Sequence, residues 1–141
     1  MTTATAPSRL STLLAPGEPL LRLSLRLDAV VTTVNGLAYL ALAQPLERLL
    51  GLDSRAGLAI GAFLTAYGLA VAVVGRKSPV PRRGAAAVAI GNATWVVASL
   101  LALVTGVLGL TVAGAVWAVM QAVTVGAFAA LQYRGLRGTG H

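Results

Sequence analysis

Four long apolar runs, separated by short polar or basic connections, organise this chain. They cover about residues 28–46, 57–75, 85–104 and 112–131. Each is about 19–20 residues, close to the ~20 that carry a helix across ~30 Å of hydrocarbon at ~1.5 Å per residue. A β-barrel would show shorter alternating segments with a regular turn rhythm. Valine is abundant in the runs, yet in lipid the helix is favoured because it satisfies its own backbone polar groups. The expected fold is therefore all-α, a four-transmembrane-helix bundle.

Within three of the runs the polar residues fall on one face. Asp28, Thr32, Asn35 and Tyr39 are spaced i, i+4, i+7 and i+11, and Asn92, Trp95 and Ser99 follow i, i+3, i+7. The fourth run carries Trp117, Gln121, Thr124 and Phe128. Polar groups in hydrocarbon need partners, so these stripes are expected to turn inward and meet. Asn35 and Asn92 each lie seven residues inside their runs, about 10 Å deep at helical rise, which predicts one shared level. Two meanings stay open. Such amides serve as interhelical glue, worth about 0.6–2 kcal/mol per contact, or they line a small site with Trp95, Trp117 and Tyr39 around it. The second run differs: Gly61, Thr65, Gly68, Ala72 and Gly75 form a small-residue face that lets another backbone approach closely, within this chain or in a second copy.

Composition agrees with lipid as the solvent. Of 141 residues 57% are apolar and only 11% charged, with mean hydropathy +0.81, whereas a soluble domain carries about a quarter charged residues. One membrane domain, residues 20–134, is expected between a flexible tail at 1–19, interrupted by Pro7, Pro16 and Pro19, and a C-terminal tail at 135–141. The segment LLRLSLRL, with Arg22 and Arg26 one turn apart, reads as an interfacial start with its arginines reaching lipid headgroups. QPLERLLGLDSR, between the first two runs, reads as a short amphipathic turn on the membrane surface.

The formal charge of +7 raises the question of nucleic acid. The basic residues flank apolar runs rather than covering one folded face, so no nucleic acid partner is expected. Arg9, Arg22, Arg26, Arg76, Lys77, Arg82, Arg83, Arg134 and Arg137 lie on one side, and only Arg48 and Arg55 on the other. The positive-inside rule then predicts a bacterial inner-membrane protein with both termini cytoplasmic. Ala41-Leu42-Ala43 before Gln44 resembles a cleavage site, but the long preceding segment with Thr32, Thr33 and Asn35 makes a poor signal peptide, and an uncleaved first span is expected. A repeat at an offset of 57 residues aligns Arg26 with Arg83, Asn35 with Asn92 and Lys77 with Arg134, which is consistent with two repeated two-helix halves or with shared topology alone.

Catalytic chemistry finds no foothold. Cysteine is absent and the single histidine, His141, ends the chain, so no metal or haem ligand set and no cofactor are expected. No phosphate-binding loop, zinc-protease or serine-hydrolase motif is present. Asp28 is expected at the cytoplasmic edge, starting a helix or pairing with Arg82 or Arg83, and so not available as the deep carboxylate of a proton-coupled exporter.

The stretches RLDAVVTTVNGLAYL, VWAVMQAV and ALQYRGLR resemble small four-span integral membrane proteins of actinobacteria that have no assigned activity. The resemblance runs over most of the chain after residue 20 and implies the same topology without a mechanism. Two functions are expected to compete. One is a non-catalytic protein acting through helix packing with lipid, a second copy or another membrane protein. The other is a small transporter or ligand-binding protein with an amide-lined intramembrane site. A cavity at the Asn35 level favours the second, and a filled amide network favours the first.

Overall fold

A computed structural model describes residues 15–138. Among them five helices form: α1 Glu18–Ala41, α2 Ala43–Leu50, α3 Ser54–Arg76, α4 Arg82–Thr105 and α5 Val112–Gly138. No strand occurs among the described residues. Helices α3, α4 and α5 are each long and apolar enough to cross a membrane, and α1 with α2 makes a fourth candidate if the bent pair counts as one span. The chain is thus an all-helical membrane protein. Most of the expected N-terminal tail, residues 1–14, and residues 139–141 of the C-terminal tail lie outside the described residues.

The first run does not continue to residue 46. Helix α1 stops at Ala41 and the chain turns by 93° into α2. Pro45 supplies the reason, because in a continuous helix its ring would strike the carbonyl of Ala41, four residues back. Placed instead in the first turn of α2, its missing N–H costs nothing. At the other end α1 begins at Glu18, ten residues before Asp28, so LLRLSLRL belongs to the helix rather than preceding it. Its Leu20, Leu21 and Leu25 are buried, Arg26 is exposed, and Arg22 finds partners at the bundle end. Arg22 Nη2 pairs with Glu18 at 2.6 Å, and Nη1 donates to the Lys77 carbonyl at 3.1 Å. Glu18 also accepts the Val80 N–H at 2.8 Å, and Arg82 donates to the Leu136 carbonyl at 2.9 Å. The start of α1, the α3–α4 connection and the end of α5 are therefore knotted together at the arginine-rich end.

Around the bundle the order is α3, α1, α5, α4, with α3 and α4 only lightly in contact. The α1–α3 seam is the tightest. Lipid tails are as apolar as leucine, so close packing rather than burial from water must hold such a seam. A methyl group at Gly68 would meet the Thr33 amide nitrogen at 2.8 Å and its Cα at 3.0 Å, and one at Gly61 would meet the Gly36 carbonyl at 2.9 Å. Gly75 lies against Leu25, Ala72 packs beside the buried core, and the Thr65 hydroxyl bonds back to the Gly61 carbonyl at 2.8 Å. The small-residue face of α3 is used inside the chain, on α1.

At the opposite end α2 lies across the bundle with Leu50 buried and Leu49 exposed. Gly51, at φ 77°, ends it in the left-handed conformation that suits glycine. Thr111 then ties it to α5, its N–H donating to the Leu50 carbonyl and its hydroxyl to the Leu49 carbonyl, each at 2.9 Å. Outward faces are apolar along the long helices, as with Val34 at 60% exposed and Val104 at 83%. An acyl-chain environment covers such a surface and water does not.

Candidate intramembrane site

The polar interior forms two layers rather than one. Nearer the arginine-rich end sits Asp28, fully buried. Its Oδ1 accepts the Thr32 hydroxyl at 2.7 Å. Its Oδ2 accepts two amide N–H groups, from Asn92 at 2.7 Å and from Gln132 at 2.8 Å. Asn92 uses its second N–H on Gln132 Oε1 at 3.0 Å, so the three side chains close a ring across α1, α4 and α5. Tyr67 completes the layer from α3, its hydroxyl 3.0 Å from the Val88 carbonyl and 3.2 Å from Asn92 Oδ1. Asp28, Asn92 and Gln132 are all buried, and the carboxylate has no ion pair among the described residues.

This corrects the expected place of Asp28. It stands ten residues inside its helix, not at the edge, and its partners are amides and a hydroxyl rather than Arg82 or Arg83. The cause is the earlier start of α1. The same shift separates Asn35 from Asn92: it is Asp28 that stands level with Asn92, and Asn35 lies seven residues, about 10 Å, further along. The offset of 57 therefore aligns two amides that the fold holds about two turns apart.

The second layer is looser. Asn35 Nδ2 donates to Gln121 Oε1 at 3.5 Å, at the limit of a hydrogen bond. One turn further, Trp117 Nε1 donates to the Tyr39 hydroxyl at 2.9 Å. Between the layers and beyond them, where α3 and α4 diverge, lies a cavity of about 390 Å³. Thr32, Asn35, Tyr39, Asn92, Trp95, Ser99, Trp117 and Gln121 all contribute to its wall, and most of the rest is aliphatic or aromatic. Thr124 does not; its hydroxyl bonds to the Met120 carbonyl of its own helix at 2.9 Å. The cavity meets the bundle surface between α3 and α4, where its wall includes exposed Phe63, Thr94 and Ala98. Phe63 stacks on Trp95 across that gap, with ring centroids 5.7 Å apart and planes 10° apart.

Among the described residues no charged side chain lines the cavity, since Asp28 lies behind Thr32 and Asn92. Trp95 Nε1, the Tyr39 hydroxyl proton and the Ser99 hydroxyl have no hydrogen-bond partner among the described residues. The wall thus offers apolar area with a few neutral hydrogen-bonding groups at mid-depth, the composition of small-molecule pockets, whose volumes run from about 300 to 1,000 Å³. Among the described residues no group of metal-ligating side chains occurs.

Gln132, Tyr67 and Phe63 were missed from the pattern of the sequence. Gln132 extends the Gln121/Phe128 stripe by one more turn but falls just past the end of the fourth apolar run. Tyr67 and Phe63 sit between the small residues of α3 and point to its other side. Compared with protein-family models, curated protein sequences and solved structures, the chain matches none.

Proposed function

We propose that this chain is a four-span protein of a bacterial inner membrane that binds a small, neutral, largely apolar molecule within the bilayer. The observation that carries the reading is the cavity of about 390 Å³ at the level of Asn35 and Gln121, bordered by an opening between α3 and α4. A protein that used its interior amides only as glue would fill this space, because an unfilled cavity costs packing contacts and stability. Among the described residues the wall has no cation to hold a phosphate or carboxylate head and no exposed carboxylate to hold an ammonium, which favours a neutral ligand. Entry from the acyl-chain region through the α3–α4 gap suits an apolar body, and the amide and indole groups suit one polar end.

Orientation follows the charge count. The nine Lys and Arg residues of the crowded side favour a cytoplasmic location for both termini and the α3–α4 connection. The resemblance to small four-span actinobacterial membrane proteins supports the same topology. The function is binding or transport rather than catalysis, with lipid as the surrounding partner.

Native mass spectrometry of the protein released from membrane nanodiscs tests the reading. Wild type should carry a retained neutral molecule of low mass. Ser99→Phe, which fills the cavity from α4, should lose it while keeping its helical circular dichroism. Equal adducts on both proteins, or none on either, would contradict a specific cavity ligand.

A further inference from the structure

The cavity does not use the one acidic group buried between the helices, and that group is unusual in its surroundings. An isolated charge deep in a membrane domain costs several kcal/mol, and such groups pair or neutralise. Among the described residues Asp28 has no cationic partner but three donors aimed at it: Thr32 on Oδ1, and Asn92 and Gln132 on Oδ2. These donors come from three different helices. The ring is thus a cradle for a carboxylate, held by residues that also belong to something else. Thr32 and Asn92 line the cavity, and Asn92 Oδ1 faces the Tyr67 hydroxyl on α3.

We propose that Asp28 is a proton-binding site that is coupled to the cavity through Asn92 and Tyr67. The Thr32 hydroxyl bridges the cavity wall and Oδ1, so it can pass its own proton to Oδ1 while taking another from a hydronium ion that reaches the cavity and leaves as water. The carboxylate becomes a carboxylic acid and one positive charge enters the site. The Thr32 hydroxyl then turns to its own helix carbonyl, as Thr65, Thr94 and Thr124 do, and accepts the new Asp28 O–H. Oδ2 is left as a neutral oxygen. Hydrogen bonds to an ionised acceptor are about twice as strong as those to a neutral one, so both amides are held less firmly. Asn92 is the shared member, and its release removes one of the two α4 acceptors of the Tyr67 hydroxyl, leaving the Val88 carbonyl alone to tie α3 to α4 beside the cavity mouth. Protonation thereby opens the gap and deprotonation draws it shut.

The surroundings leave few competing groups. Tyr67 is the titratable side chain that reaches the cluster from α3, and α4 and α5 present the uncharged Asn92 and Gln132. Of the arginines of α1, α4 and α5 nearest in sequence, Arg22, Arg82, Arg83 and Arg134 belong to the ends of their helices, and Arg26, two residues before Asp28, is exposed on the outer face of α1. The coupling does not depend on which molecule fills the cavity, so it stands or falls separately from the proposed ligand.

Full-length protein in nanodiscs, with ¹³C-labelled aspartate, tests it by infrared difference spectroscopy across pH, with tryptophan fluorescence recorded in parallel. Only Asp28 and Asp53 carry the label, and both tryptophans of the chain line the cavity. Wild type should show an aspartic-acid carbonyl band from a buried group that grows on acidification, and the fluorescence should change with the same midpoint. Asp28→Asn should lose both. Tyr67→Phe should keep the band and lose most of the fluorescence change, which a merely structural tyrosine would not separate. Should Asp28→Asn fail to fold, Thr32→Val serves: it removes the Oδ1 donor and should move the midpoint of the labelled band. A band that persists in Asp28→Asn, a midpoint unmoved in Thr32→Val, or a fluorescence change driven by sodium at fixed pH would each overturn the proposal.

Discussion

Replacing Asn92 and Asn35 by leucine, one at a time, should separate two amides that look equivalent in the sequence. Asn92 is buried and makes hydrogen bonds of 2.7, 3.0 and 3.2 Å, the shortest to a carboxylate. Asn35 is half-buried and makes one contact at 3.5 Å. A hydrogen bond to a charged group contributes about 1.5–3 kcal/mol, and an interhelical bond between neutral groups in a membrane about 0.6 kcal/mol on average. Removing Asn92 also strips Asp28 of one of its donors and leaves Gln132 Oε1 without its N–H. Asn92→Leu should therefore cost about 2–4 kcal/mol. Asn35→Leu should change stability by less than about 0.5 kcal/mol, because its bond is long and leucine suits an apolar wall. Equilibrium unfolding in mixed micelles with increasing SDS, followed by circular dichroism, measures both. Equal losses, or a larger loss at Asn35, would refute the two-layer account of the interior.

Other expectations follow from the same geometry. Gly68→Ala should destabilise by about 1–3 kcal/mol, since the added methyl meets the Thr33 backbone at 2.8 Å; Gly126→Ala, where the nearest atom is Val96 Cγ2 at 3.8 Å, should be close to neutral in the same SDS titration. In a chain without native cysteine, Ser54→Cys should react with an impermeant thiol reagent in intact cells and Ser78→Cys only after permeabilisation; the reverse pattern would invert the topology. Gln132→Leu, which removes an amide from the Asp28 ring, should cost about 1.5–3 kcal/mol by the same assay, although Gln132 lies beyond the last apolar run.

Helix type and the three unbroken apolar spans were legible because hydrocarbon imposes length and polarity on each segment independently of its neighbours. Interior register was not, because it depends on where each helix starts. The arginines of LLRLSLRL suggested an interface, yet Arg22 is satisfied by Glu18 and the Lys77 carbonyl, which lets α1 run on as helix from Glu18. That extension carries Asp28 from the edge to the centre and moves Asn35 away from Asn92. Pro45 carried a readable stop signal, since its ring excludes the Ala41 carbonyl, but a run defined by hydropathy passes over it. The inward stripes of α1, α4 and α5 were visible as spacing, and all their members but Thr124 and Asp28 reach the cavity wall. Which of them bond to one another was beyond spacing, because Gln132 and Tyr67 had not entered the pattern.

The central claim is that the space between α3 and α4 is a binding site, and both tryptophans report on it directly. Trp95 and Trp117 line the cavity from α4 and α5. Protein in liposomes should be titrated with a neutral brominated alkanol, whose bromine quenches indole fluorescence on contact. Wild type should show saturable quenching above the linear background of partition into lipid, and Ser99→Phe should show the linear background alone. Linear, indistinguishable quenching of the two proteins would contradict the claim.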